Sequence, residues 1–169
     1  MKLIKLKIKN FRGYKDEVSV DIDNLTVIVG KNDIGKSTIL EALDVFFNEG
    51  KGIVKLDKDD INKSSLVEGN KDIYITAVFT DLPENIIIDT TNETTFSSEY
   101  LLNSENNLEI IKKYSNAGAA KIAIKANHPT NIECSELLLK KITDYRKIVQ
   151  KHNIECENQT INATLRKSI

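Results

Sequence analysis

The sequence predicts an α/β fold, and three observations carry that prediction. Leu25, Val27, Ile28 and Val29 form a nearly continuous apolar run, the pattern of a strand covered on both faces inside a parallel sheet. From Lys36 onward the apolar period changes to that of a helix, with Ile39, Leu40, Leu43, Phe46 and Phe47 on one face and Ala42 beside them. Between the two lies Gly30-Lys31-Asn32-Asp33-Ile34-Gly35-Lys36-Ser37, which is G-x-x-x-x-G-K-S, the Walker A pattern. A strand passing through such a loop into an amphipathic helix is the phosphate-binding unit of P-loop NTPases.

The elements around this unit follow in order. Ile4, Leu6 and Ile8 alternate with Lys5, Lys7 and Lys9, the period of a half-buried strand. After a break at Asn10, Arg12 and Gly13, Val18, Val20 and Ile22 alternate with Ser19, Asp21 and Asp23, so the two strands are expected to form a hairpin. Asn48, Gly50 and Gly52 end the helix that begins at the loop. Lys51 to Asn70, rich in charge, Gly and Ser, reads as a loop carrying Asp57, Asp59 and Asp60. Tyr74–Thr80 and Ile86–Asp89 read as strands with a turn at Leu82-Pro83, and residues 90–107 are polar and unpatterned. Leu108–Tyr114 and 119–126 read as two further strands, which with Tyr74–Thr80 would make an antiparallel sheet. Glu133–Lys151 reads as a helix capped by Ser135, and Asn162–Ile169 as the start of another. The expected division is residues 1–130 as the nucleotide-binding lobe and 131–169 as a helical segment.

The chemistry of a triphosphate explains the spacing in the loop. Closely placed negative charges must be held without steric obstruction. Gly30 and Gly35 permit backbone conformations that let successive N–H groups turn inward as an anion nest. The helix entered at Gly35 adds its unpaired N–H donors and the positive end of its dipole. Lys36 can reach the β- and γ-phosphates, the Ser37 hydroxyl can take one position on magnesium, and Thr38 follows toward the α-phosphate. ATP with Mg2+ is the expected cofactor pair. A glycine turn that merely links strand to helix would need neither the second glycine nor the Lys-Ser pair.

These residues resemble the N-terminal ATPase segment of the RecF and structural-maintenance-of-chromosomes class. Within it they are most similar to the OLD-family (overcoming lysogenization defect) ATP-dependent nucleases, Gabija-type antiviral ATPases included. The likeness rests on Leu6-Lys7-Ile8-Lys9-Asn10-Phe11-Arg12-Gly13, on the P-loop in its G-x-N-D-x-G-K-S form, and on Thr38-Ile39-Leu40-Glu41-Ala42-Leu43. It implies the N-terminal part of an ABC-type ATPase lobe with an antiparallel β subdomain and C-terminal helices. It also implies Arg12 near the phosphates or adenine, and two lobes sandwiching ATP as a homodimer or higher oligomer. DNA would be engaged by the full-length protein, with a Toprim nuclease domain further along, and a partner defence protein is conceivable.

Several parts of that machinery are missing from the sequence. There is no signature motif, no Asp-Glu Walker B strand, and no glutamine before Gln150. Asp81 and Asp89 end apolar stretches, but Ile73, Ile75, Ala77 and Phe79 alternate with Tyr74, Thr76, Val78 and Thr80 as in a half-exposed antiparallel strand. The expectation is a piece of a longer protein that alone hydrolyses ATP poorly. A non-catalytic nucleotide-sensing or interaction module is the alternative. A small P-loop kinase is a further one, disfavoured because such enzymes use several lid arginines and this chain has only Arg12, Arg146 and Arg166.

Composition bounds the remaining classes. Formal net charge is -1, so there is no bulk attraction for nucleic acid or an anionic membrane. Lys5, Lys7 and Lys9 share one strand face and read as the lysines of a guarded edge strand, with phosphate contact the alternative. Cys134 and Cys156 lack metal-ligand spacing and suit a reducing cytoplasm. No stretch approaches the apolar length that would span a bilayer, and Met1–Lys9 lacks the continuous apolar run expected of a signal peptide. His128 and His152 read as ordinary positions, the first in the loop around Pro129.

Overall fold

The structure, a computed structural model, describes residues 1–30, 35–89 and 92–169. It divides into two compact units, one joining Met1–Leu82 with Asn107–Lys125, the other joining Pro83–Asn106 with Ala126–Ile169. The units do not follow a sequence-order division at residue 130. Strand β3 (Asp72–Thr80) pairs directly with β6 (Leu108–Ser115), which makes residues 83–106 an excursion between neighbouring strands.

The first unit is built on a five-stranded sheet of order β2-β1-β3-β6-β7, with β1 at Lys2–Lys9, β2 at Val18–Asp21 and β7 at Ala120–Lys125. All four pairings are antiparallel. The alternation read from the sequence sets the register: Leu6 lies opposite Val20 and Ala77, and Ile8 opposite Val18 and Ile75. Helix α1 (Lys36–Asn48) packs on the face carrying Ile75, Ala77 and Phe79, burying Ile39, Ala42, Val45 and Phe46. The rings of Phe46 and Phe79 lie 6.4 Å apart. Leu40 and Phe47, expected on the buried face, are exposed, because burial follows the 39-42-46 stripe and leaves theirs one step round the helix.

One expectation is overturned. Leu25–Val29 is not a buried parallel strand: it belongs to no strand, and Leu25, Val27 and Val29 are 84%, 71% and 84% exposed. An apolar run becomes a central strand only when neighbours supply ladder hydrogen bonds and cover both faces. Among the described residues the strands of this sheet pair only with one another. A second correction concerns β1, which is no edge strand but lies between β2 and β3. The segment expected as a plain loop also holds structure. A 3-10 turn at Lys58–Asp60 is followed by α2 (Lys63–Val67), whose first N–H groups donate to the Asn62 side chain.

In the second unit β4 (Ile86–Asp89) and β5 (Asn92–Thr94) make a short hairpin. The helix expected over Glu133–Lys151 is shorter, α3 spanning Ile142–Lys151, and α4 spans Asn162–Ser168. Ser135 is not its cap, since its hydroxyl donates to the Ile132 carbonyl. The N-terminal turn instead has Lys141 N–H donating to Asp144. Tyr145, Val149 and Leu165 form the core there, with Leu137 and Ile142 packed against it. The Tyr145 hydroxyl donates to the Leu137 carbonyl, which holds the preceding segment across the cluster in place of a first helical turn.

Tyr114 links sheet and helix in the first unit, its hydroxyl donating to the Val45 carbonyl at 3.0 Å. Burial, with a smaller contribution from Glu49, pushes its phenol up to about 12. Above the unfolded value near 10, the unfolded chain releases a proton that the folded chain keeps. Stability should therefore fall as pH rises from about 10 to 12. Tyr114→Phe should flatten that part of the curve, read from urea midpoints across this range; an unchanged slope would contradict the assignment.

Candidate functional site

The segment that carries the Walker A pattern is described at both ends. Lys31, Asn32, Asp33 and Ile34 lie outside the described residues, whereas Gly30, Gly35, Lys36, Ser37 and Thr38 lie within them. Gly35 takes the N-cap position of α1 in a left-handed conformation, φ 76° and ψ 16°, and among the described residues no side chain caps the helix. Two causes favour glycine there. A side chain strains a positive φ, and an added Cβ would sit 3.1 Å from the Tyr14 hydroxyl oxygen. An N-terminus without a side-chain cap presents first-turn N–H groups, the feature an anion site requires.

Lys36 spans the loop, its ammonium donating to the Gly30 carbonyl. The ammonium is therefore held at the carbonyl of the first glycine of the pattern. Ser37 is exposed on the first turn of α1 and Thr38 is buried against the unit. The sequence thus placed Gly35, Lys36 and Ser37 together correctly as the start of a helix.

Tyr14, Glu41 and Asp60, none of them predicted as site residues, gather with the predicted Arg12 beside this helix start. The Tyr14 hydroxyl donates to the Gly35 carbonyl at 3.3 Å. Arg12 donates from Nε to Asp60 Oδ1 at 2.7 Å and from Nη1 to Glu41 of α1. The Arg12 N–H donates to the Asp60 carbonyl at 2.6 Å, and the Arg12 carbonyl accepts from Asn62 Nδ2 at 2.7 Å. The guanidinium also lies 5.3 Å from the centre of the Phe11 ring, which is fully buried. Burial alone would lower the Arg12 pKa, but the hydrogen bonds and charges of Glu41 and Asp60 outweigh it and raise it. A hydrogen bond to a charged group contributes about 1.5–3 kcal/mol, toward the low end where water screens it. Freeing Arg12 from both carboxylates therefore costs about 3 kcal/mol or more. Tyr14 follows Gly13 directly, and Glu41 lies inside the helix of the resemblance. What the sequence could not give is the partner, since Asp60 reads only as one acid of a polar loop.

The other candidates resolve as follows. Asp57, Asp59 and Asp60 shape the 3-10 turn, with the Asp57 carboxylate accepting from Asp59 N–H and that of Asp60 accepting from Asp57 N–H. Among the described residues no three His, Cys, Asp or Glu side chains gather as a metal cage. Lys5 pairs with Asp21 at 3.3 Å and Lys7 with Glu109 at 2.6 Å, so these lysines face cross-strand carboxylates. Asp81 ends β3 in a left-handed turn, and β3 is antiparallel to both neighbours, which is not the setting of a Walker B strand. The side chain of Asp89 lies outside the described residues. His152 pairs with Glu133 at 2.7 Å at the end of α3, and His128 is exposed in the loop before Pro129. Among the described residues no helix is long and apolar enough to cross a membrane.

A Walker A loop opening into a helix that packs on an antiparallel sheet defines the class: an ATPase lobe of the P-loop NTPase fold. The chain belongs to the AAA ATPase domain family, whose model matches residues 1–168. It is similar to the endonuclease GajA of Bacillus cereus (strain VD045), 38% identical over 63 residues, which are 37% of this chain and 11% of that protein. It is also similar to the DNA replication and repair protein RecF of Chloroherpeton thalassium, 46% identical over 43 residues, 25% of this chain and 12% of that protein. Among solved structures it resembles an SMC ATPase, described for ATP-driven dimerisation and DNA-stimulated activation. There the TM-score is 0.50 at 15% identity, covering 89% of this chain and 92% of the other, a likeness of fold. The RecF and SMC resemblance read from the first fifty residues is thereby established.

Proposed function

We propose that this chain is the ATP-binding segment of an ATPase that acts on DNA, of the OLD-like ATP-dependent endonuclease type, working in the cytoplasm in antiphage defence or DNA repair. The observation that carries the reading is the loop itself: Gly35 in a left-handed N-cap, uncapped N–H groups behind it, and Lys36 reaching back to Gly30. Gly30, Lys31, Asn32, Asp33, Ile34 and Gly35 would surround the phosphates with backbone N–H groups, Lys36 would neutralise the β- and γ-phosphates, and Thr38 would lie toward the α-phosphate. The residues present fit magnesium, since Ser37 offers an exposed hard oxygen on the first helical turn and Mg2+ commonly takes one or two protein ligands alongside phosphates and water. When bound, the metal would supply positive charge to the phosphates. GajA is named an endonuclease and RecF a replication and repair protein, which supports DNA as the eventual substrate of the full assembly. The SMC ATPase supports pairing of two lobes on ATP.

Calorimetric titration of the chain tests this. Magnesium with ATP or ADP should bind, and adenosine should bind far more weakly, because the grip is on phosphates. Turnover by the chain alone should stay at or near background. Equal binding of adenosine and ATP, or none of either, would reduce the loop to a connector.

A further inference from the structure

The segment between β1 and β2 touches α1 at two places. Tyr14 meets Gly35 at the N-cap, and Arg12 meets Glu41 six residues on. At the rise of an α-helix these anchor points are about 9 Å apart along the axis. One contact fixes where a helix begins; two fix the direction in which its N-terminus points. Arg12 is itself anchored from behind by Asp60 through both backbone and side chain, and by Asn62. Arg12 holds a left-handed backbone conformation, φ 50°, uncommon for a residue other than Gly, Asn or Asp, and it is bonded there to Asp60 and Asn62.

Charge argues in the same direction. One guanidinium between two carboxylates leaves that cluster with a net negative charge, which repels an incoming phosphate instead of drawing it in. Among the described residues, the cation bonded to the first glycine of the pattern is Lys36, and Arg12 is engaged by carboxylates instead.

We propose that Arg12 is a positioning residue for the nucleotide site: held between Glu41 of α1 and Asp60 of the 3-10 turn, it fixes the aim of the α1 N-terminus and governs nucleotide affinity through the helix, without touching a phosphate. This rests on the nucleotide-binding reading of the loop. It makes Glu41 a partner in affinity, and it assigns the polar turn at Lys58–Asp60 the task of bracing the site.

Glu41→Gln separates this role from direct contact, because the two predict opposite signs. If Arg12 positions the helix, losing the Glu41 charge loosens the clamp, and affinity falls. If Arg12 binds phosphate, the same change releases it toward the ligand, and affinity holds or rises. Dissociation constants for magnesium-ATP and magnesium-ADP are to be measured on wild type, Arg12→Ala, Glu41→Gln and the double variant, beside the melting temperature of each without nucleotide. Each single change should weaken ATP and ADP by the same factor, about threefold to tenfold, and the double should be no worse than the weaker single, since both remove one clamp. A merely structural role would lower the melting temperature and leave the affinity of the folded protein unchanged. Glu41→Gln preserves side-chain volume and the Arg12–Asp60 bond, so it reports even if Arg12→Ala does not fold. Wild-type affinity or better in Glu41→Gln would overturn the proposal. Absence of binding by wild type would overturn the nucleotide reading itself and the clamp with it, whereas binding that Lys36→Ala abolishes and Glu41→Gln does not affect would remove the clamp alone.

Discussion

Replacing Lys36 by alanine is expected to abolish the thermal stabilisation that magnesium-ATP gives the chain. A ligand bound only by the folded state, at a hundred times its dissociation constant, adds about 2.7 kcal/mol of stability. For a cooperative unit of the size of the one that holds the pattern, that corresponds to a rise of about 10–20 °C in its transition. The ammonium is bonded to the first glycine of that pattern, and it brings three donors and a full charge to a polyphosphate. Alanine removes both and leaves the backbone N–H groups, which alone hold an anion weakly. The effect on the unliganded protein should be smaller than the loss of ligand stabilisation, because the side chain is only partly buried. Scanning fluorimetry with increasing magnesium-ATP on both proteins distinguishes ligand loss from folding loss. A shift in the variant equal to that of wild type would end the assignment of this loop to phosphate.

The Walker A pattern can be read without a structure because its chemistry is local. Two glycines, a lysine and a serine at fixed spacing need no distant partner to be recognised, and the helix after them showed its own period. The sheet was legible for a similar reason: in β1 and β3 apolar residues alternate with others, so the pattern fixes which residues turn toward the core. Leu25–Val29 misled because its burial depends on neighbours. The same residues that read as a central strand are exposed where no described strand pairs with them. β1 misled in another way. Lysines on one face look like edge protection, but an internal strand can carry them when cross-strand carboxylates such as Asp21 and Glu109 answer them. Arg12 shows the limit most clearly. Family likeness drew attention to it, yet its partners Glu41 and Asp60 come from segments 29 and 48 residues away, and no spacing rule joins them.

Arg166 in the second unit carries the other large expected effect. Its Nε and Nη2 donate to the two Glu99 oxygens at 3.0 and 3.2 Å, and the two side chains are only 5% and 8% exposed. The pair joins α4 to a segment 67 residues earlier, the two stretches of chain from which this unit is assembled. Desolvating such a pair offsets much of its attraction, so its net worth can be small while breaking it is costly. Arg166→Ala leaves a carboxylate buried without its fork of donors and should destabilise the unit by about 3–5 kcal/mol. The core here is small, centred on Tyr145, Val149 and Leu165, and such a loss should unfold α3 and α4. Hydrogen exchange should then show their amides losing protection while those of β1, β3 and β6 keep theirs. Replacing both partners by apolar residues of similar volume, Arg166→Met with Glu99→Leu, should recover most of the loss, because the cost lies in the uncompensated charge. A loss below about 1 kcal/mol for Arg166→Ala would place the pair in the range of exposed ion pairs, and α4 would then be held by Leu165 and its apolar neighbours alone.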